Sequence, residues 1–318
     1  MMAMQSLLGL IQNAQQPRAL ARWYEQHLGF EISQQDQLAG AWLEQLFGEE
    51  ASAGIERVVL QLGAEQLQIW GWRGVTAPVA YPSSWGGNDH WFQHICLVSA
   101  DVRALYSRLD GSGVQLISTA PQQLPSWNTA AAGIWSVKLK DPLGHPLELL
   151  QFPSDKGDRR WHGNPRACAL PQGIDHSAIS IASTEQSLRF YQGLLGFALK
   201  GASLNHGLEQ DRLDGLQGTR VEITGLAPDP HGMGVEFLHY VQPEGGRSRT
   251  NPRWSDACDR KLLLKVDGIT ALHQQLLGSV LARDCSPLVP LPHQLFGATA
   301  AFVVRDPDAH TLFVVGEC

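Results

Sequence analysis

Four residues of this chain combine a metal-ligating side chain with a strand-like setting. His94 lies in the run Phe92 to Val98 and His176 in Ile174 to Ile181, while Glu148 and Glu236 sit in Leu147-Glu148-Leu149 and Val235-Glu236-Phe237. A hard-to-borderline divalent ion takes imidazole nitrogen and carboxylate oxygen at about 2.0–2.2 Å. Singly, each residue has an ordinary explanation. A lone His on a strand is usually a satisfied, half-buried side chain. A lone Glu between apolar neighbours points to solvent by simple strand alternation. What makes them a set is their place in a larger pattern.

That pattern is an internal repeat. Arg22-Trp23-Tyr24 followed by His27-Leu28-Gly29-Phe30 recurs as Arg189-Phe190-Tyr191 followed by Leu194-Leu195-Gly196-Phe197, 167 residues on. Asp141-Pro142-Leu143-Gly144-His145 recurs as Asp306-Pro307-Asp308-Ala309-His310, 165 residues on. Each half divides again. Pro17 to Leu28 predicts an amphipathic helix stopped by Gly29, and Thr184 to Leu195 predicts its copy, with Thr184 as N-cap and Gly196 as C-cap. Asp101 to Leu109 and Ile269 to Leu277 predict two shorter helices, and each helix is preceded by one strand and followed by several.

The order of strand, helix and further strands thus occurs four times, over residues 7–73, 89–153, 173–242 and 259–318. The expected fold class is α+β, four βαβββ modules forming two domains, 1–153 and 173–318, joined by the linker 154–172.

Composition narrows the function classes. The 318 residues suit about two domains, and a hydrophobic fraction of 43% excludes a disordered or fibrous chain. Acidic residues outnumber Lys plus Arg by 31 to 24, and no basic run exceeds Arg159-Arg160, which argues against nucleic-acid binding. No apolar stretch of about 18 residues is present to span a membrane. Met1 to Ile11 lacks the charged start of a secretory signal. Five cysteines (Cys96, Cys168, Cys258, Cys285 and Cys318) form no C-x-x-C pair, so a disulfide framework is not expected and the cytoplasm is the expected location.

Four βαβββ modules in tandem resemble the vicinal oxygen chelate superfamily, which includes glyoxalase I, extradiol ring-cleavage dioxygenases and the fosfomycin- and bleomycin-resistance proteins. The resemblance is carried by Phe190-Tyr191 and Leu195-Gly196-Phe197 after a strand bearing His176. It is also carried by Asp141 to Glu148 after a strand bearing His94.

The resemblance implies a divalent metal in a cup built by two modules, each offering one ligand from its first strand and one from its last. Those positions hold Gly9, His94, His176 and Lys261 on the first strands, and Gln68, Glu148, Glu236 and Phe313 on the last. Only modules two and three keep a His and a Glu together. Pairing within halves would leave two degraded sites. Pairing module two with module three would unite His94, Glu148, His176 and Glu236, leaving the cup of modules one and four without metal. The second arrangement is expected, because four matching positions are retained in adjacent modules. The other histidines, including His145, His231, His239 and His310, read as turn or surface residues.

Three functions follow as expectations. In a glyoxalase I-like lyase or isomerase, the ion (Ni, Zn or Mn) polarises two adjacent oxygens of a small-molecule substrate, and Glu148 or Glu236 moves the proton. In an extradiol-type dioxygenase, two His and one Glu hold Fe(II). In a non-catalytic binding or resistance protein, Trp85, Trp91, Trp127 and Trp135 line an apolar cup, although core and rim positions suit such large side chains better. The segments 121–128, 205–206 and 209–212 read as solvated loops near the mouth of the cup.

Overall fold

In the computed structural model, residues 4–75, 80–163, 170–228 and 232–317 are described. Cys168, Cys318 and His231 lie outside them.

The four modules are present in order. The first contains β1 (Met4–Asn13), α1 (Pro17–Leu28), β2 (Glu31–Leu38), α2 (Ala41–Phe47), β3 (Ile55–Leu62) and β4 (Glu65–Trp72). The second contains β5 (Gln93–Ser99), α3 (Val102–Arg108), β6 (Gln115–Leu116), β7 (Gln122–Gln123), β8 (Trp135–Lys140) and β9 (Pro146–Gln151). In the third are β10 (Pro171–Ser180), α4 (Thr184–Leu188), β11 (Ala198–His206), α5 (Leu208–Asp214), β12 (Arg220–Ala227) and β13 (Gly234–Gln242). The last has β14 (Lys261–Val266), α6 (Ile269–Leu277), β15 (Val289–Pro290), β16 (Ala300–Arg305) and β17 (Thr311–Gly316).

Local chemistry explains the helix ends. Pro17 opens α1, and Gly29, at φ 70°, closes it by donating its N–H to the Tyr24 carbonyl. The Asp101 carboxylate caps α3 by accepting from the N–H groups of Arg103 and Ala104. The cap of α4 is Ser183, one residue before the expected Thr184, because the Ser183 hydroxyl accepts from the Gln186 N–H. The chain then continues as a wider π-helical turn over Arg189–Leu194. Residues 209–212, expected as a loop, belong to α5; Gly207 and Gly215, both at positive φ, bracket one short helix that buries Gln210, Leu213 and Asp214.

Two sheets result. One runs β15-β16-β17-β14-β1-β4-β3-β2; the other runs β11-β12-β13-β10-β5-β9-β8-β6, with β7 also on β8. Modules one and four therefore share a sheet through the antiparallel pair β1–β14, and modules two and three share the other through β5–β10. The division into 1–153 and 173–318 separates the chain but not the sheets, since each stretch supplies one module to each sheet. A single apolar cluster containing Leu10, Tyr24, Leu97, Leu149, Tyr191, Phe237, Leu264 and Phe302 draws on both sheets.

His145 and His310 are not surface residues. Both are buried, and each donates its Nε2–H across the boundary between the sheets, His145 to the Asn13 carbonyl at 2.9 Å and His310 to that of Ser180 at 2.8 Å. His239 is half-buried on β13, 3.1 Å from Glu222. Among the described residues, no helix is long and apolar enough to cross a membrane.

Candidate metal centre

The seam between β5 and β10 sets the register of the site. His176 faces Cys96, and Cys96 in turn faces Glu148 on β9. Ala178 lies between His94 on one side and Glu236 on β13 on the other. Each His thus stands in line with the Glu of the other module, separated from it by one small residue.

The side chains meet over these rows. His94 Nε2 lies 2.8 Å from Glu148 Oε2, His176 Nε2 lies 3.7 Å from the same oxygen, and Glu236 Oε2 lies 3.3 Å from His176 Nε2. Ligand atoms of His94, Glu148 and His176 all fall within 4.8 Å of one another. Glu236 stands outside that mutual set and is the more exposed carboxylate, with 31% of its side chain accessible against 9% for Glu148.

A divalent ion fits these residues. Both Nε2 atoms are buried and have no hydrogen-bond partner, although Glu148 Oε2 is within 2.8 Å of one. The two imidazoles converge on the one carboxylate oxygen. Neighbouring ligands around an ion at about 2.1 Å stand roughly 3.0–3.4 Å apart, close to the observed spacings.

Electrostatics divide the roles. Burial lowers the His94 pKa to about 4 against the opposing pull of Glu148, so its imidazole is neutral at pH 7 with a lone pair to give. Burial acts to raise the Glu148 carboxyl, but His94, His176 and Lys138 outweigh it and hold the group well below its ordinary value. Glu236 moves the other way, with burial raising it against His176. For His176 burial is outweighed by Cys96, Glu236 and Asp175, and the pKa is raised.

Several supporting residues escaped the sequence reading. The Ser136 hydroxyl donates to Glu148 Oε1, leaving Oε2 to face the two histidines. His176 Nδ1 donates to Asp175 Oδ2 at 2.9 Å, and the Trp161 indole donates to Asp175 Oδ1 at 3.0 Å. Adjacent strand residues normally face opposite ways; an irregularity in β10 between Ile174 and His176 accompanies this contact between neighbours. Acceptors of this kind fix the tautomer and orientation of a ligating imidazole. No sequence motif marks Trp161, which belongs to the linker.

The four residues line a cavity of about 710 Å³, a size suited to a small organic molecule. Trp85, Trp91, Trp127 and Trp135 do not line it. Trp85 packs on Trp91 and beneath the Lys140 ammonium, Trp127 stacks on His206, and Trp135 lies under Arg103.

The cup of modules one and four is filled. Phe47 of α2 packs on Trp70 and Phe313 there. Lys261 is buried on Asp259, at 2.9 Å, and on the carbonyl oxygens of Trp254 and Asp259. Gln68 Oε1 accepts from the Trp70 indole, and a Cβ at Gly9 would overlap the Gln66 backbone carbonyl.

Comparison with known proteins agrees with this architecture. Residues 7–149 match the model of the Glyoxalase/Bleomycin resistance protein/Dioxygenase superfamily. The structure of glyoxalase I from Zea mays superposes with a TM-score of 0.63 at 14% identity, covering 98% of this chain and 92% of that one. A putative dioxygenase from Bacillus subtilis subsp. subtilis str. 168 gives a TM-score of 0.58 at 12% identity, with 98% and 85% covered. No curated protein matches significantly in sequence. At these identities the structural likeness concerns the fold.

Proposed function

We propose that this chain, whose residues 7–149 match the model of the Glyoxalase/Bleomycin resistance protein/Dioxygenase superfamily, is a divalent-metal-dependent enzyme of the glyoxalase I-like type, acting on a small molecule with two adjacent oxygens. The observation that carries this reading is the convergence of buried, hydrogen-bond-free His94 Nε2 and His176 Nε2 on Glu148 Oε2 at the floor of a cavity. His94, Glu148, His176 and Glu236 would hold the ion. When bound, it supplies Lewis-acid polarisation of the substrate oxygens.

The chain's own residues do the rest. Glu148 stays ionised, tethered by Ser136, and serves as a fixed ligand. Glu236, half-exposed to the cavity and with a raised carboxyl pKa, accepts a proton from carbon and returns it, since two carboxylates pushed apart in pKa divide fixed-charge and proton-transfer duties. Asp175 and Trp161 keep His176 in the tautomer that presents Nε2.

One observation favours a second reading. The mutual set is two His and one carboxylate, with Glu236 outside it, the arrangement of non-haem Fe(II) oxygenases. Elemental analysis of protein purified without chelator, alongside His94→Ala/His176→Ala, tests both. About one equivalent of nickel, zinc or manganese in the parent and little in the variant supports the lyase or isomerase, and iron supports the dioxygenase. A parent that takes up no metal even after reloading overturns both readings and leaves the binding protein.

A further inference from the structure

Beside the metal position lies a buried polar network built on Lys138, Asp214, Gln210, Asn205 and Asn128. Lys138 on β8 is the direct antiparallel partner of Glu148, is buried, and lines the cavity. Its Nζ donates to Asp214 Oδ1 at 2.6 Å, and Asp214 Oδ2 accepts from Gln210 Nε2 at 2.8 Å. Asn205 Nδ2 donates to Gln210 Oε1, and Asn128 Nδ2 to Asn205 Oδ1.

The chain provides its own comparison. The strand residue opposite the last-strand ligand position is Lys138 in module two, but Val59 opposite Gln68, Gly225 opposite Glu236 and Val303 opposite Phe313 in the others. Helices α2 and α5 are both seven residues long and both follow a positive-φ glycine, Gly40 and Gly207. Asn205, Gln210 and Asp214 therefore correspond to Leu38, Leu43 and Phe47. In the first sheet, these three and Val303 and Phe313 pack into one apolar cluster that fills the cup. The fold accepts apolar residues at all these positions. A buried ion pair is rarely more stable than well-packed apolar side chains in its place, so stability gives no reason for the polar set. It occurs in the cup that holds the metal position.

We propose that Lys138, held by Asp214, is the specificity-determining residue of this cavity and receives an anionic oxygen of the substrate, which makes the substrate a small organic acid. Its carboxylate would lie next to a carbonyl or hydroxyl oxygen. The ammonium carries three donors, and Asp214 takes one. Asp214 is a positioning residue, oriented by Gln210. Leu124, Ile134, Leu150 and Phe152 on the cavity wall suit an apolar remainder. The proposal rests on the metal-centre reading for the second oxygen.

The test is calorimetric titration of zinc-loaded protein with 2-hydroxy-4-methylpentanoate and with its amide, which keeps both oxygens and lacks the charge. Lys138→Met should reduce the acid-over-amide preference about 10- to 100-fold, as for loss of a charge-assisted hydrogen bond. Lys138→Met/Asp214→Asn, which removes both charges of the pair and guards against misfolding from an unpaired Asp214, should show the same loss. An unchanged preference in folded, metal-replete variants overturns the assignment. If the parent takes up no zinc, the metal-centre reading fails separately, and the same titration on the metal-free chain decides the role of Lys138. A preference for the acid that disappears in Lys138→Met sustains it, and equal binding of acid and amide overturns it.

Discussion

Tyr24 donates its hydroxyl to Asp141 Oδ2 at 3.0 Å, joining a helix of one sheet to a turn of the other. Tyr191 does the same for Asp306 at 3.1 Å in the opposite direction. The two repeated motifs thus meet as reciprocal ties between the sheets. All four side chains are buried, so loss of a hydroxyl leaves a carboxylate short of one donor. Tyr24→Phe and Tyr191→Phe should each lower unfolding free energy by about 1–3 kcal/mol, read by urea denaturation. Unaltered midpoints in both would refute the role of the ties.

The two aspartates differ electrically. For Asp141, burial is outweighed by His145, with Nδ1 at 3.0 Å, and its pKa is lowered. For Asp306, burial prevails over its hydrogen bonds and pushes the pKa up to about 7 from 3.8. The folded chain therefore holds this proton more tightly than the unfolded chain. The destabilisation is fully present above pH 7 and fades as pH falls toward 4, by as much as a few kcal/mol. Urea midpoints at pH 8, 6.5 and 5 should rise more in the parent than in Asp306→Asn. Parallel profiles would show that Asp306 does not titrate in this range.

Ser136 and Asp175 each hydrogen-bond one of the proposed ligands, Glu148 and His176. Ser136→Ala, Asp175→Asn and Trp161→Phe should each weaken zinc affinity about 10- to 100-fold in competition with a chromogenic chelator. Wild-type affinity in all three would show that Glu148 and His176 are oriented by packing alone.

The filled cup should be separable from the open one. Phe47→Ala removes a buried ring packed on Trp70 and Phe313, and should cost about 3–5 kcal/mol. Metal content should stay at the parent value. A parallel loss of metal would mean that the two cups fold as a single site.

Much of the architecture was written locally. Strand alternation, Pro17 before α1, Gly29 after it and the Asp101 cap follow from rules acting over a few residues. The short helix α5 escaped because seven residues hold too little periodicity to separate a helix from a polar loop. His145 and His310 close turns, as expected, but their burial is not legible in the sequence because their partners, Asn13 and Ser180, lie 132 and 130 residues away.

By itself, the sequence determined the four-fold order of elements, the repeat and the four ligand-type residues at matching positions, since these depend on residue type and spacing. The His and Glu retained in modules two and three pointed to their pairing, and tertiary structure set its register, because β5 pairs with β10 and β1 with β14 through backbone hydrogen bonds. It also decided what fills each cup. Phe47 closes one, whereas in the other its counterpart, Asp214, holds Lys138 from 76 residues away along the chain. Such contacts depend on where the folded chain brings distant backbone together, a property no local pattern of residues encodes.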